Sequence, residues 1–215
     1  MAQRPVFVVS DVPPYYIKKD IEFEYVRGQN ISQQRKCYQS LHAAFSESEP
    51  DRNILEISSK SLNKTGVSLS AFNLMMHIND YEVTVEQTYH ASKVFEYGGP
   101  YTDILEMSPI QAKRDERLKN SGNIVGYSLL GVNYPVYPAC SFYNWIYIKA
   151  LVLGKNRELA EQILKYDAFT DISFNPKKSV SCQAQSAAIY VSLYRMNLTE
   201  VALGSYNDFL KTVYT

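Results

Sequence analysis

A carboxylate, a phenol, an imidazole and an amine recur at helical spacing near the middle of the sequence. They belong to Glu86, Tyr89, His90 and Lys93, at positions i, i+3, i+4 and i+7. Residues at this spacing share one face of an α-helix. A carboxylate and an amine on one face can carry acid–base chemistry or hold a sugar. The same pattern is typical of a solvated Glu–Lys face with Tyr89 packed beneath, and the spacing alone favours this second interpretation.

Charges also alternate along residues 113–117, where Lys113 and Arg114 come first. Alternating charges are typical of an exposed helix face with weak ion pairs. Because a guanidinium group offers a two-pronged match to phosphate oxygens, the alternative interpretation is that Lys113 or Arg114 contacts a diphosphate. Trp145, the only tryptophan, is typical of a core but can also stack on a base.

Asp171 and Asn175 lie in a segment, residues 169–181, that lacks helical periodicity and contains a proline. Polar residues between aromatic ones on a loop are a common way to build a site, but they also make turns by bonding to their own backbone. Composition leaves both interpretations open. The cysteines and histidines show no metal-ligand spacing, so the sequence predicts neither a metal site nor a cofactor.

Two capping signatures mark the helices that must position these residues. Thr84 with Gln87 forms one capping box, and Ser108 with Gln111 forms another, with a proline at the first helical position. The second helix is predicted to end at residues 120–122, where a glycine can take a left-handed conformation. Periodicity further predicts helices at 32–45, 142–153, 156–165, 183–196 and 199–213, strands at 6–9, 21–25 and 54–58, and loops at 126–139 and 169–181.

The composition is that of a folded protein with balanced charge. The chain has 215 residues, is 46% hydrophobic and has a formal net charge of +0. This composition is enough for one sizeable core, and the pattern of elements predicts a helix-dominated α+β domain with its few strands near the N-terminus. Zero net charge argues against binding to long duplex DNA through many phosphates, although it allows a small basic pocket for one nucleotide.

The cysteines and the hydropathy predict where the protein works. Three cysteines without a pairing pattern predict no disulfide framework and fit a reducing compartment. The apolar run at the N-terminus is too short for a signal peptide, and no stretch approaches a membrane span. We therefore expect a cytoplasmic protein with no membrane partner.

Several separated blocks, in order, resemble the NADAR family. Residues 85–95, Val-Glu-Gln-Thr-Tyr-His-Ala-Ser-Lys-Val-Phe, resemble its signature, in which a Glu follows a small apolar residue and a Lys comes seven residues later. Residues 107–114 resemble its Ser-Pro-x-x-Ala-Lys block, and residues 142–151 resemble the aromatic helix that follows. Residues 171–175 and Gln183 resemble the last acidic and amide positions. Two positions depart from the family pattern, which has an acid in place of Asn175 and Asn in place of Gln183.

The first part of the chain extends the resemblance to a long NADAR subgroup, through residues 40–45, 55–61 and 69–74. This subgroup is associated with a DNA ADP-ribosyltransferase toxin that acts on guanine, and its members are implied to be antitoxins that reverse the modification. The resemblance implies a single NADAR-like domain over residues 1–215. In that domain a strand and helix extension, residues 1–60, packs on a core of residues 66–198.

The resemblance also implies a reaction and the residues for it. The reaction is hydrolysis of the C–N bond between a ribose and a base, which breaks through an oxocarbenium-like state. The implied partners are ADP-ribosylated guanine in nucleic acid, preferably single-stranded DNA, ADP-ribose as the product, and a possible cognate ADP-ribosyltransferase toxin. The implied catalytic residues are Glu86, Lys93 and Asp171, and the implied substrate-binding residues are Tyr89, Lys113, Arg114, Trp145, Asn175 and Gln183.

Two other functions stay open at this point. One is N-glycosidase activity on a small nucleotide or a riboflavin-pathway intermediate. The other is that of a non-catalytic antitoxin that binds the toxin or the modified nucleic acid. A site that holds Glu86 and Lys93 together would favour the enzyme, whereas a Lys93 amine in a surface salt bridge would favour the binder.

Overall fold

The computed structural model of the protein describes residues 1–28, 30–79, 81–153, 155–176 and 179–215. The chain forms two compact units, which we call the terminal unit, residues 1–70 and 158–215, and the central unit, residues 71–157. Both units contain helices and strands, and the helices hold more residues. The predicted helix-dominated α+β fold is confirmed, whereas the strands are not confined to the N-terminal part of the chain and occur as far as residues 168–170. The domain layout, with an extension up to residue 60, stays a prediction.

The elements are numbered in chain order. The strands are β1 (Ala2–Val9), β2 (Tyr16–Phe23), β3 (Ile54–Glu56), β4 (Met75–Ile78), β5 (Tyr81–Thr84), β6 (Lys93–Phe95), β7 (Ile124–Leu129), β8 (Val132–Tyr134) and β9 (Ala168–Thr170). The α-helices are α1 (Ile31–Ser48), α2 (Lys64–Ser68), α3 (Val85–Ala91), α4 (Pro109–Arg114), α5 (Arg117–Asn120), α6 (Ser141–Leu153), α7 (Arg157–Gln162), α8 (Gln183–Arg195), α9 (Thr199–Leu203) and α10 (Tyr206–Tyr214). Short 3-10 helices span Thr102–Glu106 and Ile163–Lys165.

The terminal unit is built on a four-stranded sheet with the strand order β2-β1-β9-β3. β1 pairs antiparallel with β2 and with β9, whereas β3 and β9 run parallel. The centre of β1 is buried, and Val6 and Val8 pack with Phe23, Leu41 and Phe45 in a core beneath the sheet. The helix α8 packs on β1 and β9. A central strand that is buried on both faces has consecutive apolar residues instead of an alternating pattern, as in the centre of β1.

The central unit contains the β4–β5 pair and a three-stranded sheet with the order β6-β7-β8. β5 leads into α3 without a loop, because the Thr84 hydroxyl accepts a hydrogen bond from the Gln87 backbone N–H at 3.2 Å. The Gln87 side chain in turn accepts one from the Thr84 backbone N–H at 2.9 Å. The capping box predicted at this point is confirmed. α6 packs on α3 and β4 and is buried on nearly every side, which explains its lack of a polar face.

Several element predictions were wrong, mostly where strands are short. The predicted loop at 126–139 contains most of β7 and all of β8, and the predicted loop at 169–181 begins inside β9. The helix from Ser108 is interrupted after Arg114, so that two short helices replace one. α3 ends at Ala91, which places Lys93 on β6 instead of on the helix. β6, β8 and β9 have only three residues each, too few to show a clear two-residue period, and the sequence pattern did not reveal them.

The described residues also show the character of the helices and the state of the cysteines. None of the helices in the described residues is both long and apolar enough to cross a membrane. Cys37, Cys140 and Cys182 are free thiols. Within the described part of the chain, no three His, Cys, Asp or Glu side chains converge as metal ligands would.

Candidate active site

Glu86 begins the site, because the capped start of α3 places it in a buried position. Its backbone N–H donates to the Ala71 carbonyl at 2.9 Å, and its side chain is only 8% exposed. A carboxylate in such a position requires partners, since an isolated buried charge is costly. Two partners reach the same oxygen: Lys113 Nζ lies 3.0 Å and His90 Nε2 lies 3.2 Å from Glu86 Oε1.

The contacts continue from His90 to Lys93. Lys93 Nζ lies 3.0 Å from His90 Nδ1, so that the four side chains form one chain of contacts. We call this set the Glu86 cluster; its members are Lys113, Glu86, His90 and Lys93. Lys93 lies on β6 and not on α3. Because β6 begins only two residues after the end of α3, the Lys93 amine still lies beside the helix.

The surroundings shift the pKa values of Glu86, His90 and Lys93, and thereby set the protonation state of each. Burial alone would raise the pKa of Glu86, but the hydrogen bond from His90 and the charge of Lys113 outweigh burial, and the pKa is lowered. Burial lowers the pKa of His90, against the opposing hydrogen bond to Glu86. Burial also lowers the pKa of Lys93 to about 8. At neutral pH the cluster therefore holds an ionised carboxylate, a neutral imidazole and an amine that titrates close to physiological pH.

Aromatic rings border the cluster on the side of Lys93. Lys93 Nζ lies 4.4 Å from the centre of the Tyr89 ring, a cation–π distance. Tyr89 stacks on Tyr127 at 5.7 Å and meets the edge of Tyr143 at 4.9 Å, and Tyr127 stacks on Phe142 at 4.5 Å. Such rings can stack on a base or pack against a sugar.

The two basic residues of α4 have different surroundings. Lys113 reaches Glu86, and its Nζ also lies 4.9 Å from the centre of the Phe72 ring. Arg114 is exposed and, within the described residues, has no ion-pair partner. Trp145, on α6, is 5% exposed, and Lys149 Nζ lies 5.0 Å from its ring centre.

The other predicted site residues lie in the terminal unit. Gln183 Nε2 donates to Asp171 Oδ2 at 2.9 Å and to the Ile57 carbonyl at 2.7 Å. Asp171 Oδ1 accepts from the Ser173 backbone N–H at 2.9 Å, a turn-forming contact. Asn175 is half-buried further along the same loop. The structure thus joins Asp171 with Gln183, and it separately joins Glu86 and Lys93 with Lys113 in the central unit.

Beside Asp171 lies a buried carboxylate that the sequence reasoning missed. Glu56 accepts from the Thr170 hydroxyl at 2.6 Å and from the Ile172 backbone N–H at 3.0 Å, and His42 Nε2 lies 2.8 Å from that hydroxyl. Burial raises the pKa of Glu56 and lowers the pKa of His42 to about 4. The available signal was a charged residue between two apolar ones in a predicted strand.

His90 is the member of the cluster that the sequence reasoning did not assign a role. Its position on the same helix face as Glu86 was recognised, but a histidine on a partly apolar face is not specific for function. The available signal was its spacing, four residues after Glu86 and three before Lys93.

Nearly the whole chain is similar to one known protein family. A family model described as the DarT1-associated NADAR antitoxin matches residues 2–215, which include both units. The search of curated proteins found no match. The family match agrees with the resemblance drawn from the sequence blocks.

Proposed function

This chain belongs to the family of DarT1-associated NADAR antitoxins, and from this premise we propose that it is an N-glycosidase acting on ADP-ribosylated guanine in DNA. The reaction hydrolyses the bond between the ribose and the base and releases ADP-ribose. It thereby reverses the modification made by a toxin. The antitoxin role comes from family membership, and the reaction is our proposal.

The observation that carries the proposal is the ionised carboxylate of Glu86 in a buried site with an amine nearby. When the ribose–base bond breaks, positive charge develops on the sugar. A carboxylate that is already ionised stabilises this charge without reorganisation and can orient the attacking water. Both described contacts of the Glu86 side chain use Oε1, and we assign Oε2 to the contact with the sugar.

Lys93 supplies the second function of the site. The leaving nitrogen needs a proton, and an amine with a pKa of about 8 is a competent donor near neutral pH. The same amine, once neutral, is a nucleophile for the anomeric carbon. In that route the Lys93 nitrogen bonds to this carbon as the bond to guanine breaks. The guanine nitrogen takes the proton that the Lys93 nitrogen loses, and the product is a glycosylamine. The ribose ring then opens: the bond from the anomeric carbon to the ring oxygen breaks, that oxygen takes the second proton of the nitrogen, and an imine forms. Water hydrolyses this imine to ADP-ribose and free lysine.

The remaining residues are proposed to bind the substrate. Lys113 and Arg114 follow each other on α4, and Arg114 has an exposed guanidinium group for the diphosphate. Tyr89, whose ring lies beside the Lys93 amine, is proposed to contact the substrate, and Trp145 or a Tyr is proposed to stack on adenine. In the terminal unit, Asp171 is proposed as a further catalytic acid, with Asn175 and Gln183 as polar contacts. No step requires a metal or a cofactor.

The contacts of Lys93 favour the enzyme over the non-catalytic binder. An exposed lysine in a surface salt bridge was the feature expected of a binder. Lys93 Nζ instead contacts His90 inside the Glu86 cluster. The cognate toxin remains a proposed partner, and single-stranded DNA is the proposed form of the substrate. Because that substrate is the DNA of the cell, we propose that the protein acts in the cytoplasm.

The test is turnover on a guanine-ADP-ribosylated oligonucleotide, followed by mass spectrometry for released ADP-ribose. We expect complete release with protein present at roughly a hundredth of the substrate concentration, since an enzyme recycles. Release only up to the amount of protein, or tight binding without release, would support the binder. An ADP-ribosylated RNA and a free modified nucleotide, assayed in parallel, show whether the smaller substrates are preferred.

A further inference from the structure

His90 lies between the carboxylate of Glu86 and the amine of Lys93 and uses both ring nitrogens to contact them. We infer that His90 is a positioning residue that holds the Lys93 amine beside the Glu86 carboxylate while keeping the two groups from pairing directly. The inference rests on the proposed function, because it concerns how that site is organised. The N-terminal cap of α3 uses Thr84 and Gln87 and does not involve the His90 side chain, whose buried ring packs against Tyr89 with the ring centres 5.4 Å apart.

The hydrogen-bond roles in the bridge follow from the chemistry of its two ends. An ionised carboxylate only accepts, so the His90 proton lies on Nε2 and is donated to Glu86 Oε1. In the neutral ring, Nδ1 is then an acceptor, and Lys93 Nζ donates to it. The carboxylate therefore fixes the tautomer, and the tautomer fixes where the amine is held.

A direct ion pair would change both functional groups. A lysine stem is flexible, and without a partner at Nδ1 the Lys93 amine can move to the opposite charge of Glu86. Such a pair raises the pKa of the amine, so the neutral form becomes rarer at neutral pH, and it occupies the carboxylate that must face the sugar. The charged or titratable groups described around the amine are Glu86, His90 and Lys113, and the ring of Tyr89 lies against it. The Tyr89 hydroxyl in turn contacts the hydroxyl of Tyr127 on β7.

Two substitutions separate bridging from proton transfer. In His90→Gln, the side-chain carbonyl can accept from Lys93 and the amide can donate to Glu86, but the group does not titrate. In His90→Leu, the volume is similar and both hydrogen bonds are lost. His90→Asn provides a second variant, because its shorter amide cannot span both partners. His77→Gln is the matched control, since His77 lies on β4 in the same unit with a side chain 47% exposed.

The first readout does not depend on turnover. NMR titration of the Lys93 amine should give a pKa near 8 in the wild-type protein, because burial lowers the pKa of this amine to about 8. We expect a similar value in His90→Gln and in His77→Gln, and a clearly higher value in His90→Leu and His90→Asn. An unchanged pKa in all of these variants would overturn the inference, whether or not the protein releases ADP-ribose.

The second readout is turnover with the modified oligonucleotide. We expect His90→Gln to keep most of kcat, and His90→Leu and His90→Asn to lose roughly tenfold or more with KM within about twofold. If His90→Gln loses as much as His90→Leu, the imidazole acts by proton transfer and the positioning role is wrong. If the wild-type protein releases no ADP-ribose, the proposed function fails, and the titration of Lys93 alone decides the bridge.

Discussion

At the scale of single residues, two buried glutamates illustrate how surroundings decide chemistry. Glu56 and Glu86 are both almost fully buried, yet the pKa of Glu56 is raised and that of Glu86 is lowered. The hydrogen-bond partners of Glu56 are the neutral hydroxyl groups of Thr170 and Ser58 and a backbone N–H. Glu86 instead meets the ammonium group of Lys113 as well as His90. The hydrogen bond from His90 and the charge of Lys113 together keep Glu86 ionised, and an ionised carboxylate is the form that stabilises a positive sugar.

Lys93→Ala tests whether the amine is part of the chemistry. We expect turnover to fall by roughly 100-fold or more, because both proposed routes use the amine. The melting temperature should hold or rise, since a desolvated amine at a functional site costs stability. Lys119→Ala, on the exposed surface of α5, is the control. Full activity in Lys93→Ala would remove Lys93 from the site, and a borohydride-trapped adduct in the wild-type protein would establish the covalent route.

The pKa of Lys93 also predicts a pH dependence of stability. The pKa is about 8 in the folded protein, against an ordinary value of 10.5 for an unfolded chain. Between these values the unfolded chain binds more protons, so the free energy of unfolding of the wild-type protein rises with pH. Lys93→Ala lacks this rise. Its stability advantage should therefore be largest below pH 8 and shrink towards pH 10.5, as measured by denaturant unfolding; a constant difference would contradict the shifted pKa.

The basic pair of α4 makes a prediction about the product. Lys113→Ala and Arg114→Ala should each weaken the binding of free ADP-ribose by roughly 1–3 kcal/mol, the contribution of a charged hydrogen bond. Lys119→Ala should leave the affinity unchanged, because Lys119 lies on the next helix. Calorimetry measures all three. Unchanged affinity in both α4 variants would mean that the diphosphate is held elsewhere.

At the scale of elements, the β7–β8 hairpin contains an unusual turn. Leu129 pairs with Val132, so the connection consists of only two residues, Leu130 and Gly131. Both have positive φ, 54° and 76°, as a two-residue type I′ turn requires. Asparagine or glycine is usual at the first position, whereas Leu130 is an apolar residue and is 59% exposed.

Substitutions in this turn should therefore change stability in opposite directions. Leu130→Asn should raise the free energy of unfolding by about 1 kcal/mol, because Asn tolerates the left-handed conformation better than Leu. Gly131→Ala should lower it by about 1 kcal/mol through backbone strain alone, since nothing lies within 4 Å of the added methyl group. Denaturant unfolding checks both. A loss of stability in Leu130→Asn would show that Leu130 makes a contact that the turn geometry does not explain.

The elements that the sequence predicted well are those with local chemical signals. The capping boxes at Thr84 and Ser108 both formed, because a cap depends on residues three apart and needs no tertiary contact. The strands β6 and β7 were missed, because their pairing joins segments about 30 residues apart and the alternation of each is short. The position of the Lys93 amine beside α3 depends on that pairing. Helical spacing therefore predicted the correct neighbours of Lys93, although Lys93 lies on a strand and not on the helix.

At the scale of the whole molecule, the predicted site residues are shared between two units. Glu86, Lys93 and Lys113 meet in the central unit, and Asp171 meets Gln183 in the terminal unit. The first group could be predicted because its members lie in two blocks that resemble the NADAR family, residues 85–95 and 107–114. It could not predict that Lys113 approaches Glu86, since that contact joins α4 to α3. Because the chain has zero net charge, the DNA recognition that we propose would depend on local groups and not on a general attraction for phosphates.

The central claim is that the Glu86 cluster catalyses the release of ADP-ribose, and the rate of release by Glu86→Gln tests it most directly. This change keeps the size of the side chain and removes its charge. Glu82→Gln is the matched control, because Glu82 lies on β5 in the same unit with a side chain 52% exposed. On a guanine-ADP-ribosylated oligonucleotide, we expect Glu86→Gln to be slower than the wild-type protein by roughly 100-fold or more, with Glu82→Gln unchanged. A folded Glu86→Gln protein that releases ADP-ribose at the wild-type rate would contradict the account.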